Sequence, residues 1–181
     1  VLPFNAADGD EGTWRLGLVP AAAGRPPLLL AAADRADSPD LRAMDAGTQG
    51  GGNAGGVLLF DLSQARGTTP ATTTPMQVSR LAAWARVYGD QANLNAARSF
   101  ATIDADADGQ QELVLGTPYA RVVTDAGVSL ANTGQLTVFA LGRLSSGAVV
   151  NRPDYVRAGL NRTDVLGTAV EGWRGRVLAF N

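Results

Sequence analysis

Apolar residues along this chain fall into short runs closed by glycine, proline or aspartate, the punctuation of strands more than of helices. Trp14 opens such a run at 14–19, and others follow at 28–32 (LLLAA), 57–62, 99–103, 113–116 and 135–141. Residues 81–88, with Trp84 and Tyr88, fit either the outer strand of the first unit or a short helix, because their periodicity does not decide. One shape recurs: a glycine, an alternating apolar stretch and a phenylalanine, as GVLLF at 56–60, GQLTVF at 134–139 and GRVLAF at 175–180, with VLPF at 1–4 as a truncated version. Recurrence at long intervals is the mark of a repeat architecture. The pattern predicts an all-β chain of about three repeated units, near 5–61, 76–141 and 142–181. Insertions fall near 34–55 and 121–133. The first holds Asp34, Asp37, Asp40 and Asp45 and the flexible stretch GTQGGGNAGG. A Thr/Pro tract at 67–75 cannot be a strand or helix interior. In the last unit VLGT at 165–168 echoes VLGT at 114–117, while LGTAV reads equally as an inner strand, so the register there stays open.

Between the runs at 99–103 and 113–116 lies the one segment in which spacing, charge and turn chemistry agree. Asp104, Asp106 and Asp108 alternate with alanines, Gly109 follows at once, and Glu112 completes four carboxylates in nine residues. Alternate residues of an extended chain point to one side, and a turn at Gly109 curls them round a common centre. Their mutual repulsion is relieved by a hard divalent cation. Ca²⁺ takes roughly 6 to 8 oxygens at about 2.3 to 2.6 Å, which the three aspartates, the Gln110 carbonyl, Glu112 and a water would supply. An EF-hand begins in the same way but requires Glu at its twelfth position, where this chain has Leu115. The loop is therefore expected to join strand to strand.

With a strand before it, D-x-D-x-D-G-x-x-E, a short apolar strand and then GTP at 116–118, the segment resembles the FG-GAP repeat of integrin α-subunit β-propellers. Glu112 stands for that pattern's last aspartate and GTP for its GAP. The resemblance covers most of the chain loosely and residues 100–139 specifically. It implies four-stranded antiparallel propeller blades, one intact calcium loop at Asp104, Asp106, Asp108, Gln110 and Glu112, and an adhesion role. Propellers close with about 4 to 8 blades, so three imply a segment of a larger ring, completed by other blades or another chain. The first unit's matching loop, 20–27, holds no carboxylate and so no metal.

Composition narrows the function classes. The chain has 181 residues, 45% of them hydrophobic, enough for a sizeable core. It has no cysteine and no histidine, which excludes thiolate nucleophiles, the usual zinc sites and triads with an imidazole base. The clustered carboxylates are those a cation would occupy, and no nucleophile elbow, phosphate loop or dinucleotide fingerprint appears. The chain is read as not an enzyme. A net charge of −2 with scattered arginines leaves no basic stripe for nucleic acid, and no run is long enough to span a bilayer. All basic residues are arginine, which with the abundant alanine points to a GC-rich bacterial source. Asp8, Asp10 and Glu11 are read as a turn, and Trp14, Trp84 and Trp173 as packing residues. A solvent-open loop of this kind should bind Ca²⁺ with a Kd of about 10⁻⁴ to 10⁻³ M, and therefore fill outside the cell. The functional expectation is a calcium-binding module of a secreted or cell-surface protein that binds a protein or glycan ligand. A non-catalytic repeat region of a secreted hydrolase and a structural subunit of a surface assembly are the alternatives.

Overall fold

The computed structural model describes residues 14–22, 24–36, 53–67, 83–90, 94–123, 126–173 and 176–180. The chain is all-β, built of open sheets. Strands β1 (Trp14–Val19), β2 (Leu28–Ala33), β3 (Gly56–Asp61) and β4 (Ala85–Tyr88) pair in chain order as an antiparallel meander. The second meander is made of β5 (Ser99–Ile103), β6 (Glu112–Thr117), β9 (Gln135–Ala140) and β11 (Tyr155–Ala158). A small hairpin, β7 (Val122–Val123) with β8 (Ser129–Leu130), is inserted between β6 and β9. Strand β10 (Ala148–Val150) leaves the second meander to pair in parallel with β4, the outer strand of the first. β12 (Ala169–Trp173) and β13 (Arg176–Phe180) form a third, two-stranded antiparallel sheet.

The expected strands at 14–19, 28–32, 57–62, 99–103, 113–116 and 135–141 are present to within two residues at either end. The undecided segment 81–88 is a strand from Ala85, and it hydrogen-bonds to β3 across the expected boundary between first and second units. VLGT at 114–117 lies in β6, whereas the same four letters at 165–168 form the turn before β12, so that echo is chemical and not structural. Residues 1–13, 37–52 and 68–82 lie outside the described residues, and with them VLPF, Asp8, Asp10, Glu11, Asp37, Asp40, Asp45 and most of the Thr/Pro tract.

The two meanders are built on one local plan. Asn53 and Asn132 both adopt left-handed backbone, φ 60° and 54°, and so do Gly55 and Gly134, φ 77° and 71°. Only glycine fits at 55 and 134, since a Cβ there would run into the backbone of Ala96 or of Leu166. The same hydrogen bonds surround both sites: Asn95 N–H donates to Asn53 C=O and Val165 N–H to Asn132 C=O, each at 3.1 Å. Gly89 N–H donates to Gly55 C=O at 3.0 Å, and Gly159 N–H to Gly134 C=O at 2.9 Å. Both insertions leave the meander at one place, between second and third strands, and their roots are tied by Gly55 N–H to Ala36 C=O and by Gly134 N–H to Ala120 C=O. The repeat signature is thus N-x-G followed by a strand ending in Phe60 or Phe139, which pairs Gly55, not Gly56, with Gly134.

The sheets stack face to face. Leu28, Leu30, Val57, Leu59 and Val87 of the first meander pack on Leu113, Leu115 and Phe139 of the second. Trp84 lies against this core, consistent with its reading as a packing residue. The opposite face of the second meander, with Ala101, Ile103 and Val114, packs on Val170 and Val177. Burial of apolar side chains at about 25 cal/mol per Å² is the main force holding such a stack together. A groove of about 600 Å³ runs where the first strands converge, lined by residues 15–18 of β1, 100–102 of β5 and 170–172 of β12.

Candidate metal centre

The acidic loop joins β5 to β6, strand to strand, as its sequence predicts. Ile103 and Glu112 face each other across the sheet as the last cross-strand pair, so the eight residues between them form a hairpin connection. Carboxylates hold it together. Asp104 Oδ2 accepts from Gly109 N–H at 3.0 Å, Asp106 Oδ1 from Asp108 N–H at 3.2 Å, and Asp108 Oδ1 from Gln110 N–H at 2.7 Å. Ala107 and Gly109 take left-handed backbone, φ 62° and 83°, and these two bends turn the loop back on itself.

The result is convergence. One carboxylate oxygen from each of Asp104, Asp106 and Asp108 lies within 4.8 Å of the others, with Asp104 half-buried and the other two exposed. Asp104 Oδ1 is shut off from solvent without a hydrogen-bond partner, an arrangement that costs free energy unless something positive meets it. The residues fit a hard cation: all-oxygen, anionic, and placed on a short loop.

The structure separates Glu112 from that trio. Its side chain is buried at the foot of the loop, and Oε2 accepts from Ala105 N–H at 2.7 Å. Burial raises its carboxyl above the ordinary value; the Ala105 bond opposes the shift, and repulsion from Asp106, Asp108 and Asp104 adds to it. Gln110 is positioned by its N–H on Asp108, and its side chain lies beside Gly142 in the turn after β9. That turn is fastened to the loop by Leu141 N–H donating to Gln111 C=O at 3.2 Å. Of the five expected ligands, three are brought together, one sits at the root, and one is in the loop backbone.

Sequence reasoning passed over Arg25. The connection 20–27 lacks carboxylates, but its one arginine is buried, and Nη2 donates to Pro20 C=O at 2.9 Å and Nη1 to Pro26 C=O at 3.4 Å. Burial lowers its pKa. A lone arginine between prolines was the available signal.

No helix among the described residues is long and apolar enough to cross a membrane. No family model matches the chain, and no curated protein matches it in sequence.

Proposed function

We propose that the chain is a calcium-binding segment of an FG-GAP-like β-propeller in a secreted or cell-surface protein, serving as a non-catalytic module that binds a protein or glycan ligand. The observation that carries the reading is the convergence of Asp104, Asp106 and Asp108 on a strand-to-strand loop, with a buried and unpartnered Asp104 Oδ1. Support also comes from the repeat. Two four-stranded meanders of one plan stack face to face, their first strands lining a shared groove, and a third sheet continues the stack. These are the relations that blades round a propeller axis would have.

In this reading Asp104, Asp106 and Asp108 hold the ion, with Glu112 at the loop root and the Gln110 carbonyl as further oxygens. The ion neutralises the loop and fastens β5 to β6 as a structural clip, and the insertions at 34–55 and 121–133 present the ligand-binding surface. Calorimetric titration of the purified chain with CaCl₂ is the test. A Kd of about 10⁻⁴ to 10⁻³ M, abolished by Asp106→Ala, is expected. No saturable binding would overturn the metal site, and a sub-micromolar Kd would overturn the extracellular placement.

A further inference from the structure

Between β9 and β11 the chain leaves its own sheet for the neighbouring one. Residues 141–154 make the excursion, and β10 at its far point pairs in parallel with β4. Leu141 is fully buried in the core between the two meanders, and Leu144, Ala148 and Val150 pack against that core. Gly147 N–H donates to Trp84 C=O at 2.7 Å, one residue before β4 begins. The segment is therefore a strap that starts in the second meander and is fastened to the outer strand of the first. Both of its ends are anchored. Asp154 closes the return end by pairing with Arg143 and accepting from Ala140 N–H at 2.8 Å. The departing end is held by the acidic loop: Leu141 N–H donates to Gln111 C=O at 3.2 Å, and a Cβ at Gly142 would lie 3.2 Å from Gln110 Cγ. The first meander has the same joint. Leu62 N–H, directly after β3, donates to Pro27 C=O at 2.9 Å, at the end of the connection that Arg25 pins. One joint thus hangs on a loop with its own buried guanidinium, the other on a loop of three converging carboxylates.

We propose that the acidic loop latches this strap: with a divalent cation on Asp104, Asp106 and Asp108, residues 110–111 stay where Leu141 and Gly142 meet them, and without it the strap opens from β4 more often. The inference rests on the calcium reading above. It adds a consequence beyond the β5–β6 hairpin, namely control of how firmly the second meander is fastened to the first. The physical route is short. Asp108 accepts from Gln110 N–H, so repulsion that displaces Asp108 also displaces the next two residues, which are the strap's anchor. β10 has three residues, none of them fully buried, and so few contacts with which to resist a local opening. Coupling of this kind is reciprocal: loosening the strap must weaken cation binding by the same factor.

The test is amide hydrogen exchange followed by NMR on the whole chain, in CaCl₂ and in chelator, with calorimetry on the same samples. At calcium of about 100 times Kd, openings that release the ion become up to about 100-fold rarer, so the Gly147 amide should exchange about tenfold slower or more. The Leu62 amide, on the joint without carboxylates, should hardly change. Val150→Asp disturbs β10 and leaves the loop intact, and it should raise the calcium Kd about threefold or more as the competent fraction falls. Equal slowing of Leu62 and Gly147 would mean general stabilisation and would overturn the inference. An unchanged Kd in a Val150→Asp chain whose Gly147 amide exchanges faster would overturn it too. The exchange comparison uses the unaltered chain, so it decides the matter even if that variant misfolds. Absence of saturable calcium binding would remove the calcium reading and this inference together, whereas binding without any response at Gly147 would remove this inference alone.

Discussion

Two hairpin connections occupy the same place in successive meanders and solve one problem with opposite charges. Residues 20–27 join β1 to β2, residues 104–111 join β5 to β6, and each spans eight positions between directly facing strand ends. Each also turns at a left-handed glycine in open space, Gly24 at φ 74° and Gly109 at φ 83°. In the first, Ala22 and Arg25 exchange both backbone hydrogen bonds, and the Arg25 guanidinium folds inward onto the carbonyls of Pro20 and Pro26. In the second, carboxylates fold inward onto backbone N–H groups. A loop pinned by a guanidinium carries its cation covalently. A loop pinned by carboxylates keeps surplus negative charge, which in the proposed reading an external cation relieves. The difference teaches that one backbone plan accepts either solution, and in the proposed reading the second ties stability to the medium.

The largest expected break in this comparison is Asp106→Ala measured by thermal or denaturant unfolding. At calcium of about 100 times Kd, linkage gives the wild type roughly 2.7 kcal/mol that the variant should lack, whereas in chelator the two chains should differ only by the exposed Asp108 N–H bond, offset by relieved repulsion. Equal unfolding under both conditions would end the contrast between the loops.

Arg25→Met should cost about 0.5 to 1.5 kcal/mol, because it removes the donor of the Pro20 and Pro26 carbonyls, which water can partly replace. The loss should be identical in calcium and in chelator. A calcium-sensitive loss would mean that the two connections are not independent.

Gly24→Ala and Gly109→Ala sharpen the likeness between the loops. Nothing lies within 4 Å of either added Cβ, so each should cost only the left-handed strain of a non-glycine residue, about 1 to 2 kcal/mol. Unequal costs in chelator would show that the turns differ in more than charge.

The smallest effect concerns pH. Glu112 is raised above its ordinary value near 4.5 chiefly by burial. The native state therefore binds its proton more tightly than the unfolded chain does, and stability falls as pH climbs from near 4.5 through the raised value. The unfolding free energy of wild type relative to Glu112→Gln should accordingly decline from pH 4 to pH 7 in chelator. A rise over that interval would contradict the assigned cause.

Much of this was legible in the sequence because strand residues announce themselves locally. LLLAAA, GVLLF and GQLTVF are apolar, short and bounded by turn formers, and each became a strand. The acidic loop was equally plain from its charge, its spacing and Gly109, although the aspartates converge through bends at Ala107 and Gly109 and not along an extended chain. Sequence order misled where pairing partners are distant. GRVLAF resembles a third strand, yet β13 pairs directly with β12, whereas residues 85–88 take the first of their two readings, the outer strand of the first meander. β10 could not have been foreseen, since three residues that pair in parallel with a strand distant in sequence leave no local signal.

By itself, then, the sequence determined which segments extend, where the chain turns and that four carboxylates share one short loop, because propensity, glycine freedom and spacing act over a few residues. Only the tertiary structure decided that Asp104, Asp106 and Asp108 converge while Glu112 withdraws to the root. Burial of Glu112 at the foot of the loop and the hydrogen bond it accepts from Ala105 N–H make that choice, and neither can be read from spacing. It decided likewise that the Arg25 guanidinium turns inward, since the fold of that connection and not its spacing puts the Pro20 and Pro26 carbonyls within reach.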